Sequence, residues 1–90
     1  MQNNKTKVEL SARHRIEQID IPTGVKVISL VVSRAKCKDV LLELIDNRGN
    51  AKGKPLEKCL PQIKQQGVHV LRFMMNDFSI QPIDIEVSWK

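Results

Sequence analysis

Tyrosine is absent from this 90-residue chain, and the only aromatic side chains are Phe73, Phe78 and Trp89. Proteins that hold single-stranded nucleic acid stack its bases on aromatic rings, so that mode has little to work with here. The two cysteines, Cys37 and Cys59, are too few for a disulfide framework. Each sits beside lysine, which favours thiolate, but the expected state is a pair of reduced, partly buried thiols. No apolar run approaches the roughly 18 residues of a membrane-spanning helix. Nothing apolar follows the charge in Met1-Gln2-Asn3-Asn4-Lys5, so no signal peptide is read there. An intracellular or virion-associated protein is expected, or a secreted one if the chain is a processed fragment.

What is present is alternation. Val8, Leu10 and Ala12 alternate with Lys7, Glu9 and Ser11, a period of two that predicts a half-buried strand. Ile16, Ile19 and Ile21 follow with a phase shift, which predicts a bulge or bend. Pro22-Thr23-Gly24 turns the chain. Val25 to Ser33 and Val40 to Ile45 are apolar on both faces, as central strands are. Asp46-Asn47-Arg48-Gly49-Asn50 has the chemistry of a tight turn. Val68 to Met75 places Val70 and Met74 on one face and Leu71, Phe73 and Met75 on the other. Ile83, Ile85, Val87 and Trp89 alternate cleanly with Asp84, Glu86 and Ser88. Between these runs, Ala51 to Pro55 reads as loop. Leu56, Leu60 and Ile63 have helical spacing, interrupted by Pro61, so a short helical turn or an irregular crossover is expected. Residues 1–6 are expected to be a frayed N-terminus, and 7–90 one all-β domain of about six strands with at most one short helix. A small antiparallel sandwich fits this count, with a five-stranded OB-like barrel as the alternative.

Four pieces recur in a known order: Ile21-Pro22-Thr23-Gly24-Val25, Asp39-Val40-Leu41-Leu42-Glu43-Leu44, Asp46-Asn47-Arg48-Gly49-Asn50 and Gly67-Val68-His69-Val70. Together they resemble bacterial pre-peptidase C-terminal-type domains. That resemblance implies a jelly-roll sandwich serving as an appended module, and it assigns no ligand residues.

No catalytic set stands out. The two histidines are His14, in Arg13-His14-Arg15, and His69. His14 reads as a solvated side chain. His69 shares strand parity with Leu71 and Phe73 and reads as a packed one. With Cys37 and Cys59 they supply four zinc ligand types, but no two are close in sequence, as zinc sites usually require. Asp46, Asn47 and Asn50 lack the distal glutamate of a calcium loop. Gly49, Gly53 and Lys54 do not have phosphate-loop spacing. No cofactor, metal or enzymatic activity is therefore expected.

The remaining signals concern partners. Net charge is +5. Arg34, Lys36 and Lys38 form one basic cluster, and Lys52, Lys54 and Lys58 another. A shared patch of such cations would neutralise phosphates. Phe73, Met74, Met75 and Trp89 are the candidate apolar interface. The expectation is a non-catalytic protein-interaction or assembly module, self-associating or part of a phage or other multi-subunit assembly. Nucleic-acid binding through an OB-like barrel is the alternative.

Overall fold

A computed structural model of the chain describes residues 4–32, 39–55, 60–64, 67–75 and 82–90. Among the described residues there are eight strands: β1 (Lys5–Leu10), β2 (Ile16–Asp20), β3 (Ile28–Val32), β4 (Val40–Asp46), β5 (Ala51–Pro55), β6 (Gln62–Ile63), β7 (Val68–Met75) and β8 (Ile83–Trp89). They form two antiparallel four-stranded sheets, in the orders β1-β8-β3-β6 and β2-β7-β4-β5. The fold is thus a small jelly-roll-like sandwich, and the two separate ladders replace the five-stranded barrel held as the alternative. Only the β4–β5 connection stays within one sheet. Every other step crosses between sheets, so sequence neighbours become partners across the core.

Alternation makes the core. Val8 and Leu10 of β1, Ile28, Leu30 and Val32 of β3, and Ile83, Ile85 and Val87 of β8 point inward from one sheet. Val40, Leu42 and Leu44 of β4 and Leu71, Phe73 and Met75 of β7 meet them from the other. Phe73 and Leu71 are fully buried on the strand flanked by β2 and β4. Every buried residue among those described is apolar. Trp89, Val25, Ile19 and Val68 pack against the margin of this cluster.

Several expectations need correction. β1 begins at Lys5, where Lys5 and Thr6 pair with Ser88 and Val87, so the N-terminal strand reaches into the segment expected to fray. The phase shift among the isoleucines is no bulge: β2 pairs with β7 without a break. Ile16 simply faces out while Ile19 and Ile21 face in. The irregularity in this sheet falls instead between Ile45 and Asp46. The segment 51–55, expected to be loop, is an edge strand. Its neighbour β4 supplies the ladder that its own polar residues do not advertise. Ile63 belongs to the two-residue strand β6, paired with Ile28, and Leu60 is exposed. Leu56 lies outside the described residues, and no α-helix occurs among those described.

Strand directions sort the connections. The Ser11–Arg15 turn lies at the same end as Val32, Val40, Pro55 and Met75. The opposite end carries the Pro22–Val27 connection, the 47–50 turn, Gly67 and Lys90.

Truncating Phe73 to alanine should cost about 3–5 kcal/mol, a large share of the stability of a domain this size. Ile16→Ala, at an exposed position, should cost less than about 0.5 kcal/mol. Urea unfolding followed by far-ultraviolet circular dichroism measures both, and equal costs would contradict the placement of the core.

Candidate functional site

The outer faces of the two sheets differ sharply in chemistry. On the β1-β8-β3-β6 sheet the register aligns Lys5, Ser88, Ser29 and Gln62 in one row, Lys7, Glu86 and Val31 in the next, and Glu9 with Asp84 in a third. Lys5 Nζ donates to Glu86 Oε1 at 2.7 Å. That hydrogen bond, reinforced by the charges of Lys5 and Lys7, holds the Glu86 carboxyl below its ordinary range. Val31 is the one exposed large apolar side chain on this face among the described residues. The surface is otherwise a solvated mixture of charges.

The other sheet presents apolar rows. Ile16, Met74 and Leu41 are mutually opposite across β2, β7 and β4. At the far side of the sheet, Val70, Ile45 and Ala51 are aligned across β7, β4 and β5, with Asp20 of β2 at the end of the row. Ile16 is 60% exposed, Met74, Leu41 and Val70 are half-buried, and Ile45 is covered by its neighbours. Between the two apolar rows runs a polar one, Gln18, Arg72, Glu43 and Gly53. Arg72 Nη1 lies 3.7 Å from Glu43 Oε1. A Cβ at Gly53 would come within 3.3 Å of Glu43 Cγ, so the absence of a side chain there leaves room for Glu43 to lie flat on the sheet. The result is two apolar bands divided by one ion pair, a surface that displaces water readily and orients what it meets.

The residues singled out for an interface divide. Met74 lies on this face. Phe73 and Met75 do not: both point between the sheets, 0% and 4% exposed, because parity along β7 alternates them with Met74. Trp89 packs on the core margin at the end of β8. Ile16, Leu41, Arg72 and Glu43 are the members of the face that the sequence reading passed over. The double-faced apolar pattern of β4 and β7 was their signal.

Of the six basic candidates, Arg34, Lys36, Lys38 and Lys58 lie outside the described residues, as do Cys37, Cys59 and Phe78. Lys52 and Lys54 lie on edge strand β5, opposite Leu44 and Leu42, and Lys52 is exposed. The two histidines stand at opposite ends of the sandwich. His14 is in the Ser11–Arg15 turn, with Nδ1 4.0 Å from Glu17 Oε1. His69 is opposite the end of β2, where its carbonyl accepts from Ile21 N–H. Roughly 20 Å of strand separates the two histidines, so they cannot share a metal ion. His69 is also exposed rather than packed. The ladder skips from Ile45–Val70 to Asp46–Val68, which takes it out of the regular alternation.

At that end, Pro22, Thr23, Lys26, Asn47 and His69 surround a depression of about 360 Å³ that opens to solvent. Its wall includes the β4–β5 turn, which closes on itself. Asp46 Oδ1 accepts from the N–H groups of Arg48 and Asn50, both at 2.9 Å. Gly49 supplies the positive φ of 83° that the turn requires. The Asp46 carboxylate is therefore committed to its own loop, as in an Asx turn.

No family model, curated protein or solved structure matches the chain.

The bonds from Asn50 and Arg48 lower the Asp46 pKa. A carboxylate whose folded pKa is depressed stabilises the fold above its unfolded pKa and loses that contribution as pH falls through the folded value. Carbon-detected NMR titration should find the Asp46 midpoint below that of a model aspartate, and Asp46→Ala should remove this part of the acid destabilisation. A midpoint at or above the ordinary value would contradict the turn geometry.

Proposed function

We propose that this chain is a non-catalytic protein-interaction module that contributes to a larger assembly, and that it docks through the outer face of the β2-β7-β4-β5 sheet. The observation that carries this reading is the contrast between the two outer faces. A solvated sheet face in a small protein is expected to alternate to polar residues, as the β1-β8-β3-β6 sheet does. The opposite sheet instead offers Ile16, Met74, Leu41 and Val70 to its exterior. Apolar surface of this kind, divided by a fixed ion pair, suits a protein surface that is itself largely apolar and carries one charged group to meet Arg72 or Glu43. Docking at such a patch needs no chemistry from the module.

Phosphate binding is the competing reading, and it rests on charge alone. It predicts retention on mixed-sequence DNA or RNA that falls steeply with salt. The face-docking reading predicts little salt dependence, because the surface is mainly apolar.

The test compares the wild-type chain with Ile16→Lys and, as a control on the opposite sheet, Val31→Lys. Each is immobilised and exposed to extract of the source cells, and folding is checked by circular dichroism. Ile16→Lys should reduce capture of the wild-type chain's protein partner at least tenfold, while Val31→Lys leaves it unchanged. Equal capture by all three, or retention of nucleic acid in place of protein, would overturn the proposal.

A further inference from the structure

Among the described residues the two sheets have four strand edges, each a row of N–H and C=O groups without a partner strand. Two of the four are blunted here. β6 is two residues long. β5 reads Ala-Lys-Gly-Lys-Pro, and Lys52 stands opposite inward-facing Leu44, so an added strand would have to bury its charge. The other two edges, β1 and β2, lie on the same side of the sandwich and are joined by the Ser11–Arg15 turn.

Which backbone groups they offer follows from the ladders. Asn4 C=O accepts from Trp89 N–H at 2.9 Å, so even-numbered residues of β1 bond to β8 and Lys5, Lys7 and Glu9 turn their peptide groups outward. Arg15 C=O accepts from Met75 N–H, and Ile21 N–H donates to His69 C=O. Odd-numbered residues of β2 therefore bond to β7, and Ile16, Gln18 and Asp20 turn theirs outward. The turn between the strands is a hairpin turn: Ser11 and His14 exchange both backbone bonds at 3.1 Å. Beyond it the strands separate into different sheets, although their edge groups remain matched in height, Glu9 with Ile16, Lys7 with Gln18 and Lys5 with Asp20.

We propose that two copies of this chain pair along these edges, β1 of each with β2 of the other, about a twofold axis parallel to the strands. Such an axis exchanges the two layers and preserves strand direction. It therefore brings β1 of one copy antiparallel to β2 of the second, in the plane of the same sheet. It also keeps each residue at its own height, so the hairpin turn sets the register: Lys5 faces Asp20, Lys7 faces Gln18 and Glu9 faces Ile16. In every one of these pairs both residues have outward-turned peptide groups, and both side chains lie on the outer face. Each pair exchanges two backbone bonds, and the symmetry builds the seam twice.

Charge selects this pairing over its rival. A twofold axis perpendicular to the sheets would place β1 against β1 and β2 against β2. β1 carries Lys5 and Lys7 with one Glu9, and β2 carries Glu17 and Asp20 with no cation. In the rival, β1 against itself would oppose Lys5 to Glu9, but β2 against itself brings four carboxylates to one seam with no cation, whereas the unlike edges attract. The seam meets the apolar outer face at Ile16, but its test varies Lys5 and Asp20 and reads self-association rather than capture of another protein, so it and the proposed docking surface can fail separately.

The experiment is analytical ultracentrifugation of the wild-type chain, Lys5→Glu, Asp20→Lys and the double variant, with circular dichroism as the folding control. A reversible dimer is expected for the wild type. Each single charge reversal should weaken it roughly tenfold, since two facing pairs change from attraction to repulsion, and the double variant should recover it. Carbodiimide cross-linking of a mixture of light and heavy isotope-labelled protein should join Lys5 of one copy to Asp20 of the other. A monomer at millimolar concentration would overturn the inference. So would a dimer indifferent to both reversals, or mixed-isotope cross-links between Lys5 and Glu9.

Discussion

The structure depends on one layer of apolar side chains held between two sheets. Each strand contributes only its inward parity: Val8 and Leu10, Leu30 and Val32, Leu42 and Leu44, Leu71 and Phe73, Ile85 and Val87. That layer is the main source of stability available to a 90-residue chain. It also imposes register, because a slip by one residue would turn an entire strand inside out. β8 shows the constraint most clearly. A slip there would expose Ile83, Ile85 and Val87 and bury Asp84 and Glu86.

Because the interior is taken up by this layer, the surfaces are what distinguish the molecule. One outer face is a mosaic of lysine, acid and serine. The other has apolar bands on either side of Arg72 and Glu43. β4 and β7 account for the difference, since both are central strands and both carry large apolar residues at outward parity. The edges follow a similar logic. β5 and β6 are short or carry charge toward the inner side, whereas β1 and β2 retain matched peptide groups at the end of a shared hairpin turn. Faces and edges are thus two separate consequences of the same alternation.

Much of this was legible in the residues. The strands with clean alternation, β1 and β8, and the strongly apolar β3, β4 and β7 stand where their patterns predict, and the Asp46–Asn50 turn has the chemistry it shows. What was hidden is set by tertiary context. Ala51 to Pro55 has no strand-forming character of its own and becomes β5 because Leu41 to Ile45 offers it a ladder. Ile16 breaks phase with Ile19 because an edge strand next to an apolar outer face can afford an exposed isoleucine. His69 has the parity of a buried residue, but the register shift in its own ladder with β4, between Ile45 and Asp46, removes it from the core. Phe73, Met74 and Met75 looked like one interface in the sequence. Only the sheet's direction of burial separates the first and third from the second. Strand order is the least local property of all, since β1 beside β8 joins residues nearly the whole chain apart.

Native-state amide hydrogen exchange tests the sandwich and its strand order together. The slowest amides should fall in β7 and β8, at Leu71 to Met74 and Ile85 to Val87, because each of these strands is flanked on both sides. β5 and β6 should exchange fastest among the strands. A slow core centred on β2 and β3, as a simple meander of sequential hairpins would produce, would contradict the account.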